Sequence, residues 1–299
     1  MSTFTFKILA VLFMFLDHIY LYFFAPSEGI SLILTCIGRL SYPLFLFCMV
    51  WGFYYTRNRK VYLLRLYVLS IFMTVFAYSI DHYLPTERGY GFHNIFLSMF
   101  LVGLLISTIE TFQKDHKKGT LMLVIIFLVQ VLYLYSGKLW FLIFPFLPSP
   151  SGDTLTGIVP NLYLNEYGFE FVALGVLMYF LREKKDLLCV MYILFCIAQF
   201  SSEMILGESG FPTQWMMVAA LPLMMRYNNE KGHGMKYFFY IFYPAHTFML
   251  FYIANFVWDT HEKMHIQQCS PYLMKFYPCV IFGTPCRTAW KWGVLCKLR

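Results

Sequence analysis

The chain has very few charged residues for its length. Only 13% of its 299 residues are Asp, Glu, Lys or Arg, whereas 59% are hydrophobic and 21% are aromatic. Soluble domains carry roughly a quarter charged residues, and a chain with so few cannot cover a water-facing surface with polar groups. This shortage excludes an ordinary soluble protein.

The signatures of soluble nucleotide-binding domains are also missing. The sequence contains neither a G-x-G-x-x-G pattern nor a P-loop, so any nucleotide site must be built by helices and loops. It has no long soluble linker, internal repeat or low-complexity tract. No motif indicates a metal site or binding to nucleic acid. We therefore expect one bundle with no metal ion.

Apolar windows of about twenty residues recur along the chain, which is the length needed to cross a bilayer as a helix. The first window is too long, and too polar at its end, for a removable signal peptide. We predict an all-α, polytopic transmembrane bundle of about nine helices, within a range of eight to ten. The predicted crossings are 4–24, 31–55, 61–81, 92–112, 119–136, 162–181, 187–206, 211–225 and 235–258.

Residues 137–161 carry four prolines, which argues against a regular helix. We predict an outer loop here, with room for a short interfacial segment. A tenth crossing is the alternative.

The basic residues predict the orientation. Loops 57–60, 114–118, 182–186 and 226–236 are rich in Lys and Arg and fall on one side when nine helices cross. Because cytoplasmic loops carry an excess of cations, we predict that these loops and the N-terminus are cytoplasmic. The expected location is the cytoplasmic (inner) membrane.

The apolar pattern stops at Asp259. We divide the chain into a bundle, 1–258, and a basic tail of unknown role, 259–299. The tail holds four of the eight cysteines, Cys269, Cys279, Cys286 and Cys296, in a spacing that matches no metal pattern.

Ionisable residues inside apolar helices are costly and usually mark a pathway or a reaction site. Asp17 and His18 interrupt the first crossing. Arg39, His93 with Asn94, and Glu203 are predicted at a similar depth. We expect an Asp17–Arg39 ion pair, which leaves His18 to exchange a proton near neutral pH. A purely structural pair is the alternative.

His246 is a second intramembrane imidazole, two residues after Pro244. A proline removes a helix hydrogen bond, and irregular backbone at membrane depth occurs where a helix lines a cavity. Tyr243 lies one turn back on the same face and is expected to orient the imidazole. A histidine bonded to a neighbouring helix is the alternative.

Six segments of the chain together resemble the TraX family, in that family's order. The segments are K-I-L-A-V-L-F-M-F-L-D-H-I, G-R-L-S-Y-P-L-F-L-F-C-M-V-W-G-F, Y-T-R-N-R-K-V-Y-L-L-R-L, H-N-I-F-L-S-M-F-L-V-G-L-L, Y-G-F-E-F-V-A-L-G-V-L and Y-I-F-Y-P-A-H-T-F-M-L. The D-H-I and G-R-x-x-[FY]-P-x-F elements carry most of the specificity.

The resemblance implies an integral membrane acetyltransferase that takes acetyl groups from cytoplasmic acetyl-CoA. The acceptor in the family is the N-terminus of a pilin, and a more distant similarity to membrane acyltransferases adds cell-envelope glycans. Carried over to this chain, the family elements put weight on Asp17, His18, Arg39, Pro43, Arg57, Asn94 and His246.

Acetyl transfer needs a general base and a donor for the developing oxyanion. The catalytic candidates are His18 as base, Asp17 holding it, His246 as second base or acetyl carrier, and Arg39 as oxyanion stabiliser. The candidates for substrate or acetyl-CoA binding are Asn94, His93, Tyr243 and, for the phosphates, Arg57, Arg59 and Lys60. Asn94 is a second candidate for the oxyanion. Ordinary positive-inside topology is the alternative for the basic loop.

A different class of function is also open. A proton-coupled transporter would place Asp, His and Arg inside helices as well, although it usually shows internal repeats.

Overall fold

The structure is a computed structural model that describes residues 1–23, 29–86, 89–91, 93–146, 152–205, 211–230, 232–233 and 236–258. Over these residues all regular secondary structure is helical, and there is no strand. The basic tail and its four cysteines lie outside the described residues. The all-α prediction is confirmed.

Eleven α-helices follow one another along the described chain. They are α1 (Thr3–Phe23), α2 (Gly29–Gly38), α3 (Ser41–Tyr55), α4 (Arg59–Tyr83), α5 (Ile95–Lys114), α6 (His116–Ile143), α7 (Gly152–Ile158), α8 (Gly168–Leu181), α9 (Lys185–Ile205), α10 (Leu221–Met225) and α11 (Lys236–Tyr252). A 3₁₀ helix, Gln214–Ala220, leads into α10, and a π-helical turn, Ile253–Val257, ends α11.

Seven helices of the described chain are long and apolar enough to cross a membrane, rather than the nine predicted. Two of the predicted crossings are shorter apolar helices, Gly168–Leu181 and Gln214–Met225. The sixth predicted crossing is shortened because residues 159–167 are not helical. At 1.5 Å per residue, its 14 helical residues span about 21 Å, less than the hydrocarbon core of about 30 Å.

The second crossing is broken in its middle. Helix α2 ends at Gly38 and α3 begins at Ser41, with a turn at Arg39 and Leu40. Pro43 has no N–H to donate to the carbonyl of Arg39, which weakens the helix at this point. Helix α1, which carries the D-H-I element, therefore packs against a kinked crossing.

Helix α5 begins partway along α4 instead of at its end. Asn94, the N-cap of α5, donates hydrogen bonds from its amide to the Ser70 carbonyl and to the Thr74 hydroxyl. Helix α4 continues nine residues beyond Thr74, to Tyr83, which is about 14 Å at 1.5 Å per residue. The chain therefore returns toward the bundle centre before α5 starts.

The described parts of the range 137–161 contain more helix than the predicted loop. Helix α6 continues to Ile143, and α7 packs against the middle of α4, where Tyr67 donates to the Ile158 carbonyl. The seven residues of α7 are too few to cross a membrane. A Cβ on Gly157 would lie 1.6 Å from the Thr74 hydroxyl, so only glycine allows this approach.

The basic loops gather at one end of the bundle. Arg59 pairs with Glu110 and so joins the start of α4 to the end of α5. The guanidinium of Arg182 lies 3.8 Å from the centre of the Tyr54 ring. The backbone N–H of Thr3 donates to the carbonyl of Glu230. We call this end, with residues 54–60, 110–118, 182–186 and 226–230, the basic end.

Candidate functional site

Three histidines from distant parts of the sequence meet inside the bundle. His18 comes from α1, His93 from the segment before α5, and His246 from α11. The ring centroids of His18 and His93 are 5.4 Å apart, and those of His18 and His246 are 5.0 Å apart. All three side chains are buried. The cluster lies about 22 Å along α1 from Thr3 at the basic end, at 1.5 Å per residue.

The helix backbone sets the tautomer of two of these rings. Nδ1 of His18 lies 2.7 Å from the Met14 carbonyl, and Nδ1 of His246 lies 2.7 Å from the Phe242 carbonyl. A carbonyl oxygen only accepts, so each Nδ1 carries the proton and each Nε2 of the neutral ring presents a lone pair. Nε2 of His246 is buried and has no hydrogen-bond partner in the described chain. This nitrogen is a proton acceptor that receives no hydrogen bond from the described residues.

Hydroxyl groups surround the third ring. The Tyr22 hydroxyl lies 3.1 Å from Nε2 of His93, and the Tyr90 ring packs edge-on to the same imidazole at 5.2 Å. The Tyr90 hydroxyl in turn bonds Thr247 Oγ1. Burial lowers the pKa of His93 to about 3, and the two neighbouring imidazoles lower it further. His93 is therefore neutral at physiological pH.

The carboxylate of Glu166 reaches this cluster and was not found by sequence reasoning. It lies just before α8 and accepts from the Asn94 backbone N–H at 2.7 Å and from the Tyr243 hydroxyl at 3.3 Å. Its acceptance of the Asn94 N–H puts it at the positive N-terminal end of α5. Burial raises the pKa of Glu166 to about 7, the two hydrogen bonds oppose the rise, and nearby Asp17 adds to it. Tyr243, predicted to orient His246, instead points its hydroxyl at Glu166.

Asn94 has a structural position. Its Oδ1 accepts from the Leu97 N–H as an N-cap, and its amide nitrogen donates to the Ser70 backbone and to the hydroxyls of Ser70 and Thr74. Both ends of the side chain are therefore engaged in holding α5 on α4. Asn94 therefore lies beside the site, but its amide N–H groups are already hydrogen-bonded.

The expected ion pair between Asp17 and Arg39 is not formed. The three ion pairs in the described chain involve other residues. Asp17 instead lies against Gly38, where a Cβ would come 2.1 Å from its Oδ1. Nε of Arg39 is buried without a partner in the described residues, which leaves this donor available.

The basic residues predicted to bind phosphate lie at the other end of the bundle. Arg59 bonds both Glu110 and the Tyr179 hydroxyl, and its guanidinium is occupied. Arg57 and Lys60 are exposed. Of the three, these two are open to a soluble anion.

Glu203, predicted at the depth of the histidines, has a different partner. Its carboxylate accepts from the Gln214 backbone N–H at 3.1 Å. This contact caps the start of the 3₁₀ helix, where a carboxylate satisfies free backbone donors.

No group of three or more His, Cys, Asp or Glu side chains within the described ranges is arranged to hold a metal ion. What the site offers is two imidazole bases, a carboxylate, several hydroxyls and one buried guanidinium donor. Such a set can accept a proton from an amine or hydroxyl and stabilise a developing negative charge.

Comparison with known proteins gives a family. The family model described as "TraX protein" matches residues 2–145 and 154–254, which is most of the chain. The matched ranges include the three histidines, Glu166, Arg39 and Arg59.

One curated relative is a probable fimbrial assembly protein FimC, serogroup H1, of Dichelobacter nodosus. It is 37% identical over 70 residues, or 23% of this chain and 29% of the relative. The match therefore spans under a third of the relative's length. No solved structure matches the chain significantly. The family match over both halves of the bundle shows that the chain belongs to the TraX protein family.

Proposed function

We propose that this protein is an integral membrane acetyltransferase that moves an acetyl group from acetyl-CoA to a protein N-terminus or to a cell-envelope glycan. The observation that carries the proposal is the buried, unpartnered Nε2 of His246 beside His18. An imidazole in that tautomer is a general base, and general bases accelerate acyl transfer by roughly 10²–10⁴-fold.

The reaction needs one proton acceptor and one oxyanion donor. Nε2 of His246 or His18 takes the proton from the acceptor amine or hydroxyl as its nitrogen or oxygen attacks the thioester carbonyl. The new C–N or C–O bond forms, the C–S bond breaks, and the coenzyme A thiolate leaves and is protonated by the imidazolium. Arg39, whose Nε has no partner within the described residues, is the proposed oxyanion donor, because both ends of Asn94 are already bonded.

Two acidic residues are neighbours of the bases: Asp17 precedes His18 in α1, and Glu166 accepts from the Tyr243 hydroxyl. A carboxylate near an imidazole stabilises the imidazolium that forms when the proton is taken. Glu166 does so through the Tyr243 hydroxyl, whose ring lies 5.8 Å from His246. His93, whose Nε2 is already bonded to the Tyr22 hydroxyl, is placed to bind the acceptor rather than to take its proton.

The family and the relative support one choice of acceptor. The family implies a pilin N-terminus, and the similarity to a fimbrial assembly protein favours a pilus subunit over a glycan. The donor is acetyl-CoA, and the phosphates of its nucleotide suit the cations of the basic end, where Arg57 and Lys60 are exposed.

The test uses purified protein in lipid nanodiscs with radiolabelled acetyl-CoA. The wild type should label an acceptor peptide or hydrolyse the thioester. His246→Ala and His18→Ala should each lower the rate by about 10²-fold or more, and Arg39→Lys should also be slow because Lys lacks the planar guanidinium.

His82→Ala is the matched control, since His82 is exposed at the far end of α4 and should leave the rate unchanged. A folded wild type that neither binds nor consumes acetyl-CoA would overturn the proposal and favour the proton-coupled transporter. Equal rates for the wild type and both histidine variants would remove the imidazoles from the reaction.

A further inference from the structure

A cavity of about 310 Å³ opens at the basic end of the bundle, away from the histidines. Its walls come from the end of α3, the turn between α8 and α9, and the chain that follows α10. Ligand sites typically occupy a few hundred to a thousand Å³. The cavity is therefore large enough for the base and sugar of a nucleotide.

One wall of this cavity is a rigid aromatic surface. The Trp51 ring stacks on Phe47 with centroids 3.9 Å apart, and the Tyr227 ring meets both edge-on at 6.0 and 5.4 Å. Tyr54 and Tyr55 continue the wall to the surface, where they are 37% and 62% exposed. Exposed aromatic faces stack planar bases.

The rim of the cavity is cationic. Arg182 lies over the Tyr54 ring, donates to the Tyr179 carbonyl, and has an Nε that is buried without a partner in the described part of the chain. Lys185 is exposed. Glu183, which pairs with Arg182, is 76% exposed, so water already screens that pair. Two cations and one anion leave the rim with a net charge of +1.

We propose that this cavity binds the nucleotide end of the acyl donor, with the adenine base on the exposed rings of Tyr54 and Tyr55 and the phosphates at Arg182 and Lys185. This inference rests on the proposed function, since it assigns a place to the donor of that reaction.

The position of the cavity along α3 fits a donor that reaches inward. Phe47 forms its inner wall, and Gly38, which contacts Asp17, lies nine residues earlier on the same crossing. At 1.5 Å per residue that separation is about 14 Å. A flexible thiol arm extending from the cavity along α3 therefore leads toward the imidazole bases.

The test is equilibrium binding of coenzyme A and of adenosine 3′,5′-bisphosphate to the full chain in nanodiscs. Lys185→Glu should weaken both by about tenfold, the loss expected for one charge-assisted phosphate contact. Lys184→Glu is the matched control: it makes the same charge change one residue away, and Lys184 is exposed but does not line the cavity. It should change binding less than about twofold.

An aromatic pair provides a second, independent arm. Tyr55→Ala should weaken binding of both probes. Tyr83→Ala should not, because Tyr83 is 78% exposed and lies at the end of α4 that is far from the cavity. Both positions are exposed, so neither variant disturbs the core.

The outcomes separate this inference from the proposed function. Coenzyme A binding that depends on Lys185 and Tyr55, without any acetyl transfer, supports the cavity and removes the transferase. Acetyl transfer with the same KM for acetyl-CoA in the Lys185→Glu and Lys184→Glu variants overturns the cavity and leaves the transferase. Equal binding by all four variants, or no binding to the folded wild type, also overturns the cavity.

Discussion

At the residue scale, the intramembrane histidines were predictable and their carboxylate partner was not. His18 and His246 stand out because an imidazole in an apolar helix is rare. Glu166 is the fifth residue of the predicted crossing 162–181, and a glutamate so near the end of a crossing is not distinctive. Only the packing of the segment before α8 against the start of α5 brings it to Asn94 and Tyr243.

Ionisation of Glu166 makes the stability of the folded protein depend on pH. Its pKa is raised from 4.5 to about 7 in the folded protein, so the unfolded chain releases this proton first as pH rises. Between those values the folded state binds more protons than the unfolded state, and stability falls with increasing pH. We expect unfolding measurements in nanodiscs to show a loss of about 3 kcal/mol over this window.

Glu166→Gln should remove that loss, because the amide does not ionise and its oxygen still accepts from Asn94. Glu170→Gln, a change of the same kind at an exposed position four residues away, should keep the wild-type dependence. A pH dependence that is identical in wild type and Glu166→Gln would show that Glu166 is not the group responsible.

At the element scale, long apolar windows predicted helices well and their interruptions less well. The starts and ends of α1, α4, α5 and α9 lie within three residues of the predicted crossings. The break at Arg39 was missed because its cause, Pro43, lies inside an apolar run that reads as continuous. The late start of α8 was missed because residues 162–167 are apolar enough to be helical, yet Asn161 and Asn165 turn the chain by bonding local backbone.

The contact between α1 and the end of α2 depends on a glycine. A Cβ on Gly38 would lie 2.1 Å from Asp17 Oδ1, so Gly38→Ala must displace the carboxylate or separate the helices. We expect a loss of about 1–3 kcal/mol in the free energy of unfolding, as for other overpacked sites, together with reduced acetyl transfer.

Gly52→Ala on the same crossing is the control, since a Cβ there meets nothing within 4 Å. It should be neutral or stabilise the helix by about 0.5–1 kcal/mol. Chemical denaturation of both variants in one detergent measures the difference. Equal stability of the two variants would contradict the close approach of Asp17 to Gly38.

At the scale of the whole molecule, the structure separates a basic end from a buried histidine cluster. The sequence predicted the basic loops on one side, and the contacts of Arg59, Arg182 and Thr3 bring them together. Long apolar helices such as α6, whose buried residues are Gly119 and Ser136 alone, form the lipid-facing surface. The cavity between α3, α9 and the chain after α10 could not be predicted, because it arises from pieces that are distant in sequence.

The orientation of the bundle can be tested by labelling. Lys117→Cys at the basic end and Tyr83→Cys at the far end of α4 are both exposed positions. If the basic end is cytoplasmic, a membrane-impermeant maleimide should label Tyr83→Cys in spheroplasts and Lys117→Cys only after permeabilisation. Peptide mass spectrometry identifies the labelled site, so native cysteines do not interfere. The reverse pattern would contradict the predicted orientation.

The offset between α4 and α5 also sets how far an acceptor must travel. Because α5 starts beside Ser70 and Thr74, the last stretch of α4, about 14 Å long, is faced by connecting backbone instead of a neighbouring α5. In the proposed reaction, an acceptor that enters from the far end of α4 would therefore meet His93, just before α5, below the membrane surface. The 14 Å is roughly half of the 30 Å hydrocarbon thickness, so the thiol arm of the donor would cover only the other half.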